Sequence, residues 1–150
     1  MKKIGIFSLA LVLLLPLLAA GCASGKEASP SPTPVTGTLE ISLDEISAQA
    51  TMTKFFETTY PGTVTVRLGA NHTTGYAWEV TEIVHPEVIG EGSNVYEGPT
   101  ATNIVGAGGT EIWVFNTADT GLAIIRMSYS QPWSGGDKDL YTLTVNVNIR

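Results

Sequence analysis

Polar and apolar residues alternate along several segments of this chain. The alternation has a period of two in residues 38–43, 63–68 and 141–149, and these segments are rich in β-branched residues. Such a pattern is typical of strands that pack one face against a core and expose the other. It predicts β-strands in all three segments.

Three further segments are also predicted to form strands. Residues 111–117 and 122–130 are apolar on both faces of a strand, which favours central positions in a sheet. Residues 76–83 form another candidate, and residues 119–121 (Asp-Thr-Gly) predict a hairpin-like turn between the two central strands. No helical periodicity competes with these short strands. We therefore predict an all-β fold, an antiparallel β-sandwich of immunoglobulin type.

The segment at residues 44–60 is less regular. Its Phe55-Phe56 pair fits either a strand or a helical turn, and Pro61-Gly62 marks a turn before the next strand. We expect an insertion or an irregular edge strand here.

The N-terminus has the pattern of a targeting segment. Two lysines precede an apolar stretch at residues 4–20, and small residues then lead to Cys22, the one cysteine of the sequence. This order is typical of a lipoprotein signal peptide, in which the cysteine is acylated after cleavage. We predict a signal peptide at residues 1–21 and lipidation at Cys22, giving an extracytoplasmic, membrane-anchored lipoprotein at the cell surface or in the periplasm. A plain secreted form and an uncleaved anchor are the alternatives, but the apolar stretch is shorter than the ~20 residues of a span and Pro16 interrupts it.

Residues 22–37 are predicted to form a flexible linker, because Ser, Pro and Thr dominate them and cannot bury apolar area. At ~3.1 Å per residue, the 15 residues that follow Cys22 span up to about 45 Å. Residues 38–150 then form one sandwich domain. Since the single cysteine is the lipid site, this domain is expected to depend on its hydrophobic core without a disulfide.

The charge and the histidine content argue against several functions. The net charge is −6, which disfavours nucleic-acid binding because that binding depends on neutralising phosphates. Two histidines, His72 and His85, are too few for a histidine-rich metal site, and no Ser/His/Asp arrangement is legible. The scattered acidic residues leave room for a glycosidase pair, but their spacing does not argue for one. We expect no catalytic residues, no metal and no cofactor.

Three short loops between predicted strands carry the strongest functional signal. The first, residues 71–76, reads Asn-His-Thr-Thr-Gly-Tyr. Gly75 permits a positive φ, and Thr73 and Thr74 present short hydroxyls, so this loop can form a thin polar tip that enters a narrow cleft. The alternatives are an ordinary turn and an Asn-x-Thr glycosylation site at Asn71.

The second loop comprises Gly106, Ala107, Gly108 and Gly109. It lacks the Lys and Ser/Thr of a phosphate-binding loop, and it precedes a strand rather than a helix. It is either a flexible turn or a backbone surface for main-chain pairing with another chain.

The third loop contains Gln131, Pro132 and Trp133. A tryptophan flanked by turn residues is a candidate binding hot spot, and Pro132 would restrict its backbone. The alternative is an indole that folds back onto its own domain. Trp78 and Trp113 lie within predicted strands and are expected in the core. Because loops alternate between the two ends of a Greek-key sandwich, the three loops can share one end and form a single wedge.

In these loops the sequence resembles the chagasin family of cysteine-protease inhibitors, peptidase inhibitor family I42. That family carries an Asn-Pro-Thr-Thr-Gly-Tyr/Phe loop with a tryptophan two residues further on, a Gly-x-Gly-Gly loop and an Arg-Pro-Trp loop. The resemblance runs from about residue 62 to the C-terminus. The matching residues are Asn71, Thr73, Thr74, Gly75, Tyr76, Trp78, Gly106, Gly108, Gly109, Pro132 and Trp133.

The resemblance implies an immunoglobulin-like sandwich that inhibits papain-like (C1 family) cysteine proteases reversibly and without covalent chemistry. It implies that Thr73 and Thr74 approach the catalytic Cys/His pair of the protease. Residues 106–109 would pair their main chain along the non-primed side of the cleft, and Trp133 would pack on the primed side. The expected partners are such a protease and, through Cys22, a membrane, with the inhibitor itself a monomer. The rival interpretation is a lipid-anchored, Ig-like adhesion or ligand-binding module that uses the same loops without inhibition.

Two positions depart from the family pattern. His72 replaces a proline, so the loop loses a fixed φ, and matched changes to proline are worth ~0.4–1 kcal/mol through chain entropy. Gln131 replaces an arginine, which removes a cation and its forked donors. We expect weaker binding than is usual in the family, and tighter binding when His72→Pro or Gln131→Arg restores the family residue.

Overall fold

The computed structural model describes residues 35–99 and 106–150. The predicted signal peptide, the lipidation site at Cys22 and all but the last residues of the predicted linker lie outside these ranges. Among the described residues, no helix is long and apolar enough to cross a membrane.

The described chain folds into eight strands, one short α-helix and one 3₁₀ turn. The helix α1 spans Leu43–Ser47, and the 3₁₀ turn spans His72–Thr74. The strands are β1 Val35–Ile41, β2 Thr51–Thr58, β3 Gly62–Ala70, β4 Ala77–Val84, β5 Ile89–Glu97, β6 Gly109–Thr117, β7 Gly121–Ser130 and β8 Tyr141–Ile149.

The strands form two four-stranded sheets that pack face to face. The first sheet has the order β1-β3-β6-β5 and the second the order β2-β8-β7-β4. Most neighbours are antiparallel, while β1 and β2 each pair in parallel at an edge of their sheet. The prediction of an all-β, immunoglobulin-like sandwich is confirmed. The positions of β6 and β7 inside their sheets also agree with their apolar character on both faces.

The hydrophobic core lies between the two sheets and follows the predicted alternation. Trp78 and Trp113 are buried in it, as expected, with 4% and 7% of their surface exposed. Alternate residues of the four inner strands supply most of the rest. They are Val64, Val66, Leu68, Phe115, Ile125, Met127, Tyr129, Leu143, Val145 and Val147.

The predicted hairpin at residues 119–121 is wrong. The strands that this turn joins, β6 and β7, belong to different sheets, so the turn crosses from one sheet to the other. The backbone N–H of Ala118 donates to the carbonyl of Val88 at 2.8 Å, which ties this crossing to the connection between β4 and β5. A turn motif and two apolar flanks do not determine whether the flanking strands pair with each other.

The less regular segment at residues 44–60 forms α1 and the edge strand β2. Ser42 caps the helix, because its hydroxyl accepts a hydrogen bond from the N–H of Glu45 at 3.1 Å. This cap ends the first strand at Ile41, so that Leu43 is helical and not part of the strand predicted at residues 38–43. Strand β2 pairs with β8 along its whole length, so the edge strand is regular.

Strand β5 was not predicted from the sequence. It is an edge strand with a bulge between Glu91 and Ser93, and most of its residues are exposed. Glycines at positions 90 and 92 weaken the alternation that would otherwise have revealed it.

One end of the sandwich carries the three loops singled out in the sequence. Residues 71–76 join β3 to β4, residues 106–108 precede β6, and residues 131–140 join β7 to β8. The pairing registers place all three at the same end, which we call the loop end. Val35 pairs with Gly62 at the opposite end, so the described chain begins far from the loops.

Candidate functional site

Asn71 organises the first loop from a single position. Its side-chain oxygen accepts hydrogen bonds from the N–H of Thr73 at 3.2 Å and from the hydroxyl of Thr73 at 2.6 Å. Its main-chain carbonyl accepts from the hydroxyl of Thr74 at 2.6 Å. Gly75 closes the turn in the left-handed region with φ 81°, a conformation that glycine adopts without a Cβ penalty.

These hydrogen bonds determine what the tip offers to a partner. Both threonine hydroxyl protons are donated to Asn71, while both threonine side chains remain exposed. A hydroxyl that has donated its proton keeps lone pairs that can accept. The tip therefore presents hydrogen-bond acceptors and is complementary to a surface that presents donors.

The first loop is anchored to the core through Tyr129. The main-chain N–H of Asn71 donates to the Tyr129 hydroxyl at 2.7 Å. The Tyr129 ring is packed between Tyr76 and Tyr141, with ring centroids 5.4 and 5.7 Å away. Burial raises the pKa of Tyr129, so its hydroxyl stays neutral at physiological pH. The loop thus starts from a fixed point.

His72 points back onto the domain. Its Nε2 lies 2.8 Å from Oε1 of Glu111, a carboxylate with only 2% of its residue surface exposed. Its imidazole stacks on the Tyr96 ring, with centroids 3.7 Å apart and an interplanar angle of 14°. Sequence reasoning missed Glu111 and Tyr96. Both lie in strands, and no local motif marks them.

The second loop contacts the first through Asn71. The Asn71 side-chain nitrogen donates to the carbonyl of Gly106 at 2.8 Å, so this amide is engaged within the protein. A Cβ at Gly109 would lie 2.3 Å from the Glu97 carbonyl, and a Cβ at Gly108 would lie 3.2 Å from the Ala70 carbonyl. Close packing therefore excludes a side chain at Gly109, and a side chain at Gly108 would be crowded against the backbone.

The other two residues of the second loop have more space. Gly106 has φ 80°, and a Cβ added to it would meet no atom within 4 Å, so it needs glycine for its backbone conformation alone. Gly106 is exposed, and Ala107 is half-buried beside it. The Gly106 carbonyl is engaged by Asn71, but the exposure of Gly106 and Gly108 leaves room for another chain to approach this backbone.

The third loop lies against the first through its tryptophan. A Cβ at Gly75 would lie 2.4 Å from Cη2 of Trp133, so the edge of the indole rests directly on the glycine backbone. Trp133 nevertheless has 50% of its surface exposed. The structure is compatible with both interpretations of this residue, because the indole contacts its own domain and also exposes a large apolar face to a partner. Pro132 is exposed next to it.

Asp137 closes the third loop. Its N–H donates to the side-chain oxygen of Gln131 at 3.1 Å, and its carbonyl accepts from the Gln131 N–H at 2.8 Å. The Tyr76 hydroxyl donates to the Asp137 carboxylate at 2.8 Å and so joins the first and third loops. This hydrogen bond raises the pKa of Tyr76. Asp137 was also missed in the sequence, because it lies outside the three motifs.

The structure thus brings together all the loop residues that the sequence singled out. The first and second loops meet at Asn71 and Gly106, and the first and third meet at Trp133 on Gly75. In the described ranges, no group of three or more His, Cys, Asp or Glu residues could hold a metal ion. What the loop end offers is an apolar face, a set of acceptors and exposed backbone, which together suit the binding of another protein.

Comparison with known proteins agrees with this geometry. Residues 59–147 match the Chagasin family peptidase inhibitor I42. Chagasin from Trypanosoma cruzi is 32% identical over 85 residues, which cover 55% of this chain and 76% of chagasin.

Two solved structures illustrate the similarity of fold. The cysteine protease inhibitor EhICP2 from Entamoeba histolytica has a TM-score of 0.61 and 21% identity, covering 79% of this chain and all of EhICP2 (100%). PbICP-C, solved in complex with falcipain-2, has a TM-score of 0.55 and 20% identity, covering 75% of this chain and 98% of that chain. At these identities the likeness concerns the fold.

Proposed function

The chain belongs to the chagasin family of I42 peptidase inhibitors, and we propose that its loop end occludes the active-site cleft of a papain-like cysteine protease, reversibly and without covalent chemistry. The observation that carries this proposal is the contact between the three loops, which makes them one continuous edge. A fold relative, PbICP-C, was solved in complex with falcipain-2, and this makes a protease of that kind the first partner to test.

The tip at Thr73 and Thr74 is suited to block a cleft and not to react in it. Its hydroxyl protons are held by Asn71, and neither residue contacts a base that could activate it as a nucleophile. The free lone pairs can accept from donors of the protease. Because the turn is already folded, little chain entropy is lost when it enters the cleft.

Trp133 supplies the apolar anchor of the proposed interface. Half of its surface is exposed and one edge of its ring contacts Gly75, so the indole is oriented before the protease arrives. Tryptophans of this kind are frequent hot spots whose truncation costs ~2 kcal/mol or more. The exposed backbone at residues 106–108 is proposed to pair with a protease strand beside the tip.

The proposed setting is the outer face of a membrane. The sequence of residues 1–21, followed by Cys22, supports a lipoprotein signal and a lipid anchor. The linker that follows gives the domain reach from the surface, and the monomeric inhibitor would act on proteases outside the cytoplasm. The acidic net charge of −6 agrees with a domain that does not itself adhere to anionic lipid.

Titration of papain with the mature chain tests the proposal, with Cys22→Ser used to keep the protein unlipidated. We expect stoichiometric loss of peptidase activity at nanomolar to micromolar protein. The double variant Thr73→Ala/Thr74→Ala and the single variant Trp133→Ala should each weaken inhibition. Phe55→Ala is a matched control, because Phe55 is 83% exposed on a strand of the second sheet, outside the loops.

The outcomes separate the inhibitor from its rival. Loss of inhibition in the loop variants, with Phe55→Ala unchanged, supports the proposal. An absence of inhibition by the wild-type chain at micromolar concentration would favour the adhesion or ligand-binding module. Inhibition that none of the loop variants weakens would place the binding surface elsewhere on the domain.

A further inference from the structure

Glu111 is a buried carboxylate directly beneath the first loop. It lies on the inner face of β6 with Trp113 and Phe115, and 2% of its surface is exposed. Its position on the strand is opposite Leu68 of β3 and Tyr96 of β5. A charged group in such a place costs stability unless hydrogen bonds compensate its loss of water.

Four donors converge on the Glu111 carboxylate. Oε1 accepts from the main-chain N–H of Trp78 at 2.9 Å and lies 2.8 Å from Nε2 of His72. Oε2 accepts from Nε1 of Trp113 at 3.3 Å and from Nδ2 of Asn94 at 3.4 Å. The donors come from β4, the first loop, β6 and β5, so this one side chain ties the loop to both sheets.

Only a carboxylate satisfies this arrangement. Glutamine has one acceptor oxygen, and its amide nitrogen would face two donors in place of the second oxygen. A leucine or methionine at this position would leave all four donors without their partner. The hydrogen-bond pattern therefore specifies glutamate at position 111.

The His72 ring is held from two directions. Glu111 fixes Nε2, and stacking on Tyr96 fixes the plane of the imidazole. His72 is also the first residue of the 3₁₀ turn, so the residues that follow it at once are Thr73 and Thr74. A fixed ring at the start of a turn of three residues restricts where the turn ends.

We propose that Glu111 is a positioning residue for protease binding, because it holds His72 and, through His72, the threonine tip in the geometry that enters the cleft. This inference rests on the function proposed above. Where the family pattern has proline, whose ring restricts φ, this chain fixes the same position through a side-chain contact to a buried carboxylate. The expectation that His72→Pro tightens binding is therefore revised: proline would remove the contact to Glu111 and the stack on Tyr96.

Two substitutions at position 72 separate the two contacts of the ring. His72→Gln keeps a donor that can reach Glu111 and loses most of the aromatic stack. His72→Phe keeps the stack on Tyr96 and loses the donor. We expect His72→Phe to raise the dissociation constant for papain by about tenfold, the scale of a lost hydrogen bond to a charged group. His72→Gln should restore most of the affinity.

A double-mutant cycle tests whether His72 acts through Glu111. Glu111→Gln should weaken papain binding by itself, and His72→Phe should then cause little further loss in that background. Thermal unfolding of every variant is measured in parallel, so that dissociation constants are compared only between folded proteins. A merely structural role for Glu111 would lower the unfolding temperature and leave the two effects on binding additive. Phe55→Ala serves again as the unaffected control.

Several results would overturn the inference. Wild-type affinity in His72→Phe would show that the donor is not needed, and equal losses in His72→Phe and His72→Gln would show that Glu111 is not the relevant partner. If Glu111→Gln does not fold, the pair of variants at position 72 still decides the question. Absence of inhibition by the wild-type chain would instead count against the proposed function itself.

Discussion

Gly75 is the residue on which two of the loops depend. Its φ of 81° closes the first loop, and its missing Cβ leaves the space in which the Trp133 ring lies. A side chain at this position would strain the backbone and also displace the indole. One glycine thus determines both the shape of the tip and the position of the proposed anchor.

Gly75→Ala tests this double role. We expect a loss of about 1–2 kcal/mol in the free energy of unfolding from the left-handed backbone, measured by urea denaturation. The dissociation constant for papain should rise as well, because the added Cβ would lie 2.4 Å from Cη2 of Trp133. Gly135→Ala is the matched control, since Gly135 has φ 79° and nothing within 4 Å of the added Cβ. Equal effects of the two variants on binding would contradict the role of the indole contact.

Which residues of the site could be predicted depended on whether their signal was local. Thr73, Gly75 and Trp133 lie in short motifs between strands, so residue type and flanking turns were enough to single them out. Glu111 and Asp137 act through partners far away in sequence, such as His72 and Tyr76. A lone acidic residue in a strand or a loop gives no sign of the donors that the fold brings to it.

Gln131 has a contact in the structure that a comparison with the family motif does not reveal. From the sequence it is a lost cation, and Gln131→Arg is expected to tighten binding. In the structure its side-chain oxygen accepts from the N–H of Asp137 and helps to close the third loop. Arginine has no acceptor for this N–H, so that substitution would add a cation and open one contact of the loop at the same time.

Side-chain hydrogen bonds restrict the conformation of the third loop. Asp137 bonds Gln131 within the loop and Tyr76 across to the first loop. At the base of the loop, the Asp139 carboxylate accepts from the Ser128 hydroxyl at 2.6 Å, and the Asp139 N–H donates to the Ser130 hydroxyl at 3.0 Å. These contacts restrict a ten-residue connection that would otherwise sample many conformations.

Tyr76→Phe removes the one hydrogen bond between the first and third loops that involves Asp137, and keeps the ring stacked on Tyr129. We expect weaker inhibition of papain, with a smaller effect than that of Trp133→Ala, because packing of the indole is retained. The donor is a phenol whose folded pKa is raised, so the phenol's contribution to the stability of the loop is fully present below the usual tyrosine pKa and is lost as pH rises through the folded pKa.

The ratio of wild-type to Tyr76→Phe dissociation constants should therefore stay constant between pH 5 and pH 8, the range in which an unperturbed tyrosine near ~10 stays protonated. Surface plasmon resonance at several pH values measures this ratio directly. A ratio that changes across this range would show that another titrating group controls the contact.

At the scale of strands, the strands with alternating polar and apolar residues could be predicted from the sequence. Features that depend on which strands pair with each other could not. Strands β3 and β8 were clear because each has one apolar and one polar face along its length. Strand β5 was hidden by its glycines and its exposed edge position, and the turn at residues 119–121 was misread because sheet membership is not a local property. Tertiary pairing, not propensity, settled both cases.

At the scale of the whole domain, the described sandwich has two distinct ends. The three loops occupy one end, and Val35, where the described chain begins, lies at the other. A tether that enters at Val35 is therefore attached opposite the proposed binding surface. The negative charge of the chain adds repulsion from anionic lipid, which favours a domain held away from the surface.

Because the loops and the attachment point of the tether lie at opposite ends, we predict that membrane anchoring leaves inhibition of papain unchanged. The lipidated chain on liposomes and the unlipidated Cys22→Ser chain in solution should have the same dissociation constant for papain, because the loops face away from the point of attachment. Only the inhibitor exposed on the outer leaflet of the liposomes is counted in the inhibitor concentration, and residual peptidase activity is measured.

Deletion of residues 25–33 is the informative comparison, since it removes most of the linker's reach, ~3.1 Å per residue. Inhibition that is lost on liposomes with the full linker would place the loops toward the membrane and overturn this orientation. If only the shortened linker reduces the association rate, the linker is needed to clear the membrane surface, while the loops still point away from it.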